Sequence, residues 1–456
     1  MGTELYWRIV SVVTGMVGPP ALVLERGMAR TFVLLSTLAL GSLCYAQSEK
    51  LTLADALKAA RENNGVVQAA RLNYESAKAS TRAAYAAFLP TVTPSLQQEN
   101  GKLNVLTGAG RGESTIDTTD SSVVARWLLF DNGVRGTNYK KSELAREQTE
   151  FNSLDTYRAV LFDVHFTYYG ALRSQELLKV AESSLERATR LQDAAEKRES
   201  VGAGPRKDIL QAKADALNAK VNLLTATNQV STNLASLKAV LGWPTDTVPE
   251  LDASQDARPT MVDYTLEQAI ADGLANRPSL LAARKRVESS KLDVTLAKLD
   301  GGVSFQATAN FTKSFSESVY DRPSLAFTAS IPLYDGSRSR ENIKAAQLGY
   351  EADRANLVQT ERDVRAEIES AYKEFQQDFD RLEAAKLAKD AAQLNYDAAE
   401  GAYKEGAGTI LDQLTAQVSL ATAESNYVQA YYDLLISEVK LKQVVGKPLP
   451  GETAGE

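Results

Sequence analysis

Two periodicities divide the chain into short strand-like segments and long helical segments. Between Phe305 and Phe311 every second residue is apolar and the residues between them are polar, which is typical of a strand with one apolar and one polar face. The same pattern predicts strands at residues 92–98, 121–130, 303–311 and 324–333. Since helical segments flank each pair of strands, we predict two hairpins within a largely helical protein.

The helical segments that follow the two hairpins are unusually long. Residues 134–200 and 337–405 contain no proline and few glycines. Nearly 70 helical residues at about 1.5 Å each give a rod of roughly 100 Å. Two further rods follow short glycine-rich turns, at residues 208–240 and 412–444. We therefore expect two long helical hairpins.

The last rod carries an apolar seam with 3–4 spacing, the period of helices that pack along their length. The seam consists of Leu411, Leu414, Val418, Ala421, Ser425, Val428, Tyr432, Leu435 and Val439. Its mixture of large and small residues suits a helix that meets several neighbours at close range. An isolated coiled coil would show the same spacing, but it would not explain the strands.

The order of elements repeats because the chain contains an internal duplication. Leu51–Leu57 aligns with Tyr264–Ile270 at an offset of 213 residues, and Phe130–Gly133 aligns with Tyr334–Ser337 at an offset of 204. The first copy therefore has nine extra residues between these landmarks. We place them in the polar, glycine-rich stretch 101–117.

The duplication also predicts the domain boundaries. We expect a first structural repeat at 47–260, a second at 261–446 and a short polar tail at 447–456. Each repeat opens with a short helix, for which Thr52 and Thr265 are the expected N-caps. A second helix follows in each repeat, at residues 66–88 and 279–299.

The N-terminal residues predict secretion. A short basic start after Met28, an apolar run at 31–43 and small residues ending at Ala46 predict a signal peptide that is cleaved after Ala46. We expect Met28 to be the true start, so that residues 1–46 are an upstream extension plus the signal peptide; a genuine extension is the alternative. Lipidation of Cys44 is a second alternative, although the residues before it do not match the lipoprotein pattern.

The predicted strands cannot close a membrane barrel within one chain. Two hairpins are marginally stable in water, and in a bilayer their open edges leave backbone groups unsatisfied. The smallest membrane barrels have about eight strands. We therefore expect a mixed, mainly α fold in which the four strands of each protomer close an outer-membrane β-barrel with strands of other protomers; three protomers would give twelve strands. A long periplasmic α-helical barrel continues it.

Composition argues against several classes of function. The formal net charge is −7, so nucleic acid is not an expected partner. The chain has one Cys and one His, so a zinc site or Cys/His catalysis is not expected. His165 lies among aromatic residues of a long rod, and we expect it to be structural. Without a nucleophile–base pairing or a phosphate loop, we expect neither an enzyme nor a cofactor.

Two other interpretations share some of these features. A secreted structural coiled coil would share the rods, and a periplasmic adaptor, which is a binding protein, would share a long helical hairpin. The coiled coil predicts an uninterrupted heptad repeat, and the adaptor predicts neither a duplication nor strands between rods. The strands and the duplication therefore favour a channel.

The chain resembles the TolC family of outer-membrane efflux proteins. The resemblance rests on the duplication, on the segments Phe130–Gly133 and Tyr334–Gly336, and on the turn motif Gly406–Asp412, and it covers about residues 50–446. It implies a homotrimeric channel-tunnel of a tripartite efflux pump or type I secretion system. Such a passive exit duct sits in outer-membrane lipid and docks on a periplasmic adaptor and an inner-membrane transporter. Members carry drugs, metal ions or proteins, so the substrate stays open.

The resemblance assigns contact with the adaptor to the tips of the helical hairpins. The tips consist of Val201, Gly202, Ala203 and Gly204, and of Glu405, Gly406, Ala407 and Gly408. Glycine also ends helices for a local reason, because it accepts the left-handed cap conformation. A small tip additionally permits close backbone approach.

The resemblance further implies that Asp208, Tyr403 and Asp412 lie at the periplasmic entrance. Three copies of Asp412 would form a carboxylate ring that favours cations. Asp208 is expected to accept a hydrogen bond from Tyr403 on the neighbouring hairpin, a latch that helps to hold the entrance shut. The local alternative for both Asp residues is N-capping of the second rod of each hairpin.

Two positions depart from the family pattern at the entrance. Gly408 stands where the best-known member has an arginine, and Thr415 stands where it has a second acidic ring. Arg206 and Lys207 place basic charge on the other hairpin instead. A different ion pair, for example with Asp412, is therefore an alternative latch.

Five aromatic residues are expected at or near strand ends: Trp127, Phe130, Phe311, Phe327 and Tyr334. They are candidates for an aromatic girdle at the bilayer interface. The alternative is that they pack where the barrel meets the helices.

Overall fold

The same order of elements appears twice in the computed structural model, which describes residues 50–107, 110–244, 250–252, 263–315 and 319–449. The first copy consists of α1 (Leu53–Asn63), α2 (Gly65–Ala86), β1 (Thr91–Thr107), β2 (Gly110–Phe130), α3 (Val134–Ser200) and α4 (Arg206–Leu241). The second consists of α5 (Leu266–Asn276), α6 (Pro278–Leu299), β3 (Ser304–Phe315), β4 (Val319–Ser330), α7 (Arg338–Glu405) and α8 (Ile410–Val445). The mainly α fold and the duplication are confirmed.

Several predictions concern residues outside the described ranges. The signal peptide, the start at Met28 and the lipidation of Cys44 all fall within residues 1–49. The boundary between the repeats and most of the tail also lie outside the described residues. The proposed limits 47–260, 261–446 and 447–456 therefore stay predictions.

The four strands form one antiparallel sheet in the order β1–β2–β3–β4. The first hairpin is paired as far as Thr107 with Gly110, well beyond the predicted strand end at residue 98. The glycine-rich stretch 101–117 thus lengthens the hairpin, because backbone pairing does not require alternating side chains. The sheet ends in two edge strands, β1 and β4.

The two long helices run without interruption. α3 has 67 residues and α7 has 68, as the absence of proline predicts. Thr52 and Thr265 cap the short helices α1 and α5, which confirms both N-caps. Among the described residues, no helix is both long and apolar enough to cross a membrane.

The core lies where the short helices α1 and α5 cover the rods, far along the rods from the hairpin tips. In the first copy Tyr168 is buried, and its hydroxyl lies 3.0 Å from the carbonyl oxygens of both Leu51 and Asp252, either of which can accept its hydrogen bond. In the second copy Ile368 and Phe375 are fully buried against α8. α8 contributes residues to the apolar clusters of both copies, so the two clusters lie side by side along this helix.

The predicted apolar seam of α8 is correct only in the half nearest this core. Tyr432, Leu435 and Val439 are buried there, whereas Leu411 and Val418 near the tip are 62% and 56% exposed. In the tip half the buried line consists of Ile410, Gln413, Ala416, Gln417 and Leu420. α8 has apolar residues on two faces in this half, and one chain covers only one of them.

Candidate functional site: hairpin tips and open flanks

The two tips turn in the same way. Gly202 and Gly406 adopt φ angles of 76° and 79°, which glycine adopts without steric cost. The exposed tip residues are Val201, Gly202, Ala203, Glu405, Gly406 and Ala407, and Gly204 and Gly408 are half-buried. The structure therefore places all eight predicted tip residues at the exposed ends of the two hairpins.

Gly204 and Gly408 keep each tip compact. A Cβ atom at Gly408 would lie 3.1 Å from the Cβ of Ala402, and one at Gly204 would lie 3.2 Å from the Cβ of Arg198. These distances are tighter than ordinary van der Waals contact, so a side chain would push the turn away from its helix. Glycine at both positions thus has a packing reason as well as a conformational one.

Asp208 and Asp412 are not N-caps, and that alternative is wrong by one helical turn. The N-caps are Pro205 and Thr409, which places both Asp residues at the third helical position. Thr409 N donates to Asp412 Oδ2 at 3.0 Å, and Asp412 N donates to Thr409 Oγ1 at 3.2 Å, which completes a capping box. Hydrogen bonds from Thr409 lower the pKa of Asp412. Pro205 has no side-chain acceptor, so α4 begins without such a box.

Tyr403 joins the two hairpins through an arginine that the sequence analysis missed. Tyr403 is 3% exposed and packs in an apolar cluster with Leu191 and Ile410. Arg198, in the last turn of α3, donates from Nη1 to the carbonyl oxygen of Tyr403. Its guanidinium carbon lies 4.7 Å from the centroid of the Tyr403 ring, within the range of a cation–π interaction.

The expected hydrogen bond between Tyr403 and Asp208 does not form in the described chain. Burial raises the pKa of the Tyr403 hydroxyl, the charge of Arg198 opposes this, and the charge of Asp208 adds to it. The two residues are therefore near neighbours, but Arg198 rather than Asp208 holds Tyr403. The signal for Arg198 was its place in a run of basic residues beside the tip, and its partner lies 205 residues away in sequence.

Above the tips, a polar contact joins α4 to α8. Gln417 Nε2 donates to Asp215 Oδ2 at 2.8 Å. Gln413 and Gln417 are 4% and 2% exposed, although they are amides. Burial raises the pKa of Asp215, and the hydrogen bond from Gln417 partly offsets this. The hairpins thus meet here through polar groups and not through a continuous apolar core.

The outer helices of the tip half carry unpartnered apolar stripes. α4 packs on α3, α3 on α8, and α8 on α7, which leaves α4 and α7 at the two flanks of the chain. On α4, Leu210, Leu217 and Leu224 are 61%, 56% and 63% exposed at seven-residue spacing. On α7, Leu387 and Leu394 are 64% and 72% exposed, again seven residues apart. Leu217 lies eleven residues from the start of α4 and Leu394 eleven from the end of α7, so they stand at one level.

Most of the predicted girdle lies at the helix end of the sheet. Trp127 and Phe327 pair with the same residue of β3 and so share one cross-strand row. Phe130 ends β2, and Tyr334 follows β4 at 88% exposure. We call these four residues the aromatic row. Phe311 lies farther out along β3, so it is not part of the row.

The structure gives His165 a packing environment. It is fully buried on α3, with its ring centroid 6.0 Å from that of Tyr169. Within the part of the chain that the structure describes, no group of three or more His, Cys, Asp or Glu residues is arranged to hold a metal ion.

Sequence comparisons match both copies to one family. The model of a family described as "Outer membrane efflux protein" matches residues 56–243 and 269–447. The chain is 24% identical over 403 residues to the outer membrane efflux protein BepC of Brucella suis, covering 87% of this chain and 85% of BepC. It is 22% identical over 432 residues to the outer membrane protein TolC of Vibrio cholerae, covering 92% of this chain and 96% of TolC.

Solved structures share the fold. The outer membrane protein VceC of Vibrio cholerae has a TM-score of 0.74 at 18% identity, covering 87% of this chain and 96% of VceC. The CmeC channel of Campylobacter jejuni has a TM-score of 0.77 at 16% identity, covering 86% and 85%. The family match confirms an outer-membrane location and favours a channel over the secreted coiled coil and the adaptor. The chain therefore belongs to the outer membrane efflux protein family, that is, the TolC family of channel-tunnels.

Proposed function

We propose that three copies of this chain form a homotrimeric outer-membrane duct that has no catalytic role. The observation that carries the proposal is the four-stranded sheet with two open edges, β1 and β4. Open edges inside a bilayer leave backbone N–H and C=O groups without partners. Pairing β1 of one protomer with β4 of the next satisfies these groups and closes a twelve-stranded barrel.

The length of the second hairpin suits a bilayer. β3 and β4 have 12 residues each. At about 3.3 Å per residue they extend roughly 40 Å, and a tilt of about 45° reduces this to roughly 28 Å across the membrane. The apolar face of β3 then contacts lipid, its polar face lines the duct, and the aromatic row lies at the periplasmic interface.

The flanking helices support the same closure. The exposed stripe on α4 and the exposed stripe on α7 lie on opposite flanks and at matching levels. Packing α4 of one protomer against α7 of the next buries both stripes in a heptad contact. Twelve rods, four from each chain, then surround one periplasmic tunnel.

The tips are the docking end of the tunnel. They contact a periplasmic adaptor, which couples the duct to an inner-membrane transporter. Their small residues permit close approach, and Val201, which is 76% exposed, offers an apolar contact. Asp208, Tyr403 and Asp412 lie at the entrance beside Arg198, which pins the two hairpins of one protomer together.

Cysteine crosslinking across the flanks tests the trimer. In a Cys44→Ser background, Leu217→Cys combined with Leu394→Cys should yield covalent trimers in outer-membrane fractions, because the two positions face each other between protomers. Leu217→Cys alone is the matched control and should give no covalent dimers or trimers. A double variant that stays monomeric, in a protein that native mass measurement also finds to be a monomer, would refute the proposal.

Capture from a tip tests the partner. A photoreactive maleimide on Ala407→Cys should link the protein to a periplasmic adaptor in intact cells. The same label on Ser231→Cys, an exposed position on α4 away from the tip, is the control. Equal capture from both positions would contradict docking at the tips.

A further inference from the structure

A groove lined by basic residues lies between α6 and α7. It encloses about 510 Å³ and is lined by Lys291, Val294, Thr295, Lys298, Gln347, Tyr350 and Glu351. On α7, positions 340, 344 and 347 share one helical face, so Arg340 and Lys344 continue the groove. We call Lys291, Lys298, Arg340 and Lys344 the basic groove.

The four cations of the basic groove are exposed, and their side chains have no ion-pair partner among the described residues. The carboxylate that lines the groove, Glu351, pairs with Arg354 at 3.2 Å. Asp300 and Glu341 are exposed acidic neighbours at the helix ends, and the four cations outnumber them. The groove therefore carries net positive charge in a chain whose net charge is −7.

The basic groove lies directly beside the sheet. Lys298 is the penultimate residue of α6, six residues before β3 begins, and Arg340 is in the first turn of α7. Lys291 lies eight residues, or about 12 Å, from the end of α6. A Cβ at Gly301 would lie 3.5 Å from Ser339 Oγ, so the end of α6 meets the start of α7. All four cations thus lie close below the aromatic row.

The first copy has only two of the four cations at the matching positions. Lys78, which corresponds to Lys291, pairs with Glu75 at 2.8 Å and lies over the Tyr74 ring at 4.2 Å. Tyr85 stands at the position of Lys298 and Gly136 at the position of Arg340, whereas Lys140 corresponds to Lys344. The shared fold therefore does not require Lys298 or Arg340, and only the second copy gathers four cations in this groove.

We propose that the basic groove binds the phosphate of an anionic phospholipid head group from the periplasmic leaflet of the outer membrane. The inference rests on the proposed function, which places the sheet in that membrane. Head groups lie just outside the hydrocarbon core, at the level that the aromatic row marks. Several Lys and Arg side chains around one phosphate supply charge-assisted hydrogen bonds. A trimer has three such sites.

Native mass spectrometry of the detergent-purified full-length protein tests the site. Phosphatidylglycerol, phosphatidylcholine and inorganic phosphate are added separately, and bound adducts are counted. The unaltered protein should retain phosphatidylglycerol over phosphatidylcholine. The triple variant Lys291→Gln, Lys298→Gln and Arg340→Gln should lose at least about tenfold of this preference, because each cation near an anionic lipid contributes roughly a fivefold factor.

Two further variants keep the test specific. The triple variant Lys213→Gln, Lys220→Gln and Lys386→Gln removes the same charge from exposed positions in the tip half and should keep the preference. The double variant Lys291→Arg and Lys298→Arg keeps the positive charge and should therefore also keep the preference for phosphatidylglycerol. Far-ultraviolet circular dichroism checks that all variants are folded.

Three outcomes would overturn the site. They are equal retention of both lipids by the unaltered protein, undiminished preference in the groove variant, and binding of inorganic phosphate as tight as that of phosphatidylglycerol. An unchanged lipid preference with an altered anion-to-cation permeability would instead place these cations in the duct. Failure of the proposed function looks different, because the unaltered protein would then not float with liposomes at all.

Discussion

The core around α1 and α5 and the hairpin tips are stabilised by different interactions. In the core, apolar residues such as Tyr168, Ile368 and Phe375 are almost completely buried within one chain. At the tips, the hairpins meet through a small apolar cluster that includes Ala212, Tyr403 and Ile410, and through the hydrogen bond that Arg198 donates. Farther from the tips, α4 and α8 meet in the polar pair of Asp215 with Gln417. Apolar burial is non-directional and large, whereas these polar contacts are individually small and directional.

This difference shows which part of the molecule buries its apolar residues within one chain and which part does not. The core leaves few large apolar residues exposed, whereas the tip half exposes leucines on both flanks while it buries glutamines. A chain that folded alone would be expected to do the reverse. The core thus fixes the protomer, whereas in the proposed trimer neighbouring copies would cover the exposed leucines of the tip half.

The first and largest prediction is that the core is the main source of the protein's stability. Phe375→Ala removes a fully buried ring and should lower the free energy of unfolding by about 3–5 kcal/mol. Phe166→Ala, at a ring that is 48% exposed, is the matched control and should cost much less. Denaturant unfolding followed by circular dichroism measures both. Similar costs for the two variants would contradict the assignment of the core.

The second prediction concerns the contact between the hairpins. Arg198→Ala removes a charged hydrogen bond and a cation–π contact, which together contribute about 1–2 kcal/mol. The open fraction of the entrance should therefore rise about 5- to 30-fold, seen as higher single-channel conductance in planar bilayers, with little loss of thermal stability. Arg198→Lys keeps the charge but loses the planar guanidinium, so its conductance should lie between that of the unaltered protein and that of Arg198→Ala.

Tyr403→Phe separates this contact from the latch predicted from the family resemblance. Phe keeps the ring and the backbone carbonyl that Arg198 uses, but it removes the hydroxyl that Asp208 would bind. If Arg198 holds the entrance, conductance should stay near that of the unaltered protein in Tyr403→Phe and Asp208→Ala. Raised conductance in those variants, with none in Arg198→Ala, would restore the Asp208 latch.

The third prediction concerns pH. Burial raises the folded-state pKa of Asp215 above its ordinary value of 3.8, so the contact between α4 and α8 becomes more stable as pH falls through that raised pKa. Lowering the pH from neutral toward about 4 should therefore reduce conductance. Asp412 has the opposite pH dependence, because its lowered pKa means that its hydrogen bonds with Thr409 are weakened as pH falls. This loss begins only below about pH 3.8, the ordinary pKa of the group.

Asp215→Asn tests this assignment because it makes the side chain permanently neutral. Conductance at neutral pH should then resemble that of the unaltered protein at low pH, and most of the pH dependence should disappear. Asp193→Asn, at an exposed position on α3, is the control. A pH dependence that survives Asp215→Asn would contradict the assignment.

Periodicity predicted elements well but could not choose between two faces of one helix. The long helices were predictable because uninterrupted helical sequence and glycine stops are local signals, as Gly202 and Gly406 show. Leu411 and Val418 of the α8 seam stay exposed within one chain, because their burial depends on which helices are neighbours. Local sequence encodes the helix, while a flank shared between protomers has the same pattern as a core.

The entrance shows the same limit at the level of single residues. Tyr403 was singled out correctly as a residue that meets the other hairpin, but its partner was not. Asp208 and Asp412 were placed one turn from their positions relative to the caps, because Pro205 and Thr409 start the helices earlier than the charge pattern suggested. Arg198 requires the register between two hairpins, which no local signal contains.

The smallest expected effect concerns the start of α8. Thr409→Ala removes the capping box with Asp412 and should cost about 1 kcal/mol, because backbone N–H groups of the first turn lose their acceptor. Hydrogen exchange should therefore speed up about fivefold in the first turn of α8 and stay unchanged in α4, which begins at Pro205 without a box. Thr415→Ala on the exposed face of the same helix is the control and should leave exchange unaltered. Equal protection in Thr409→Ala and the unaltered protein would mean that packing of Ile410 against Tyr403, and not the cap, holds this end of the helix.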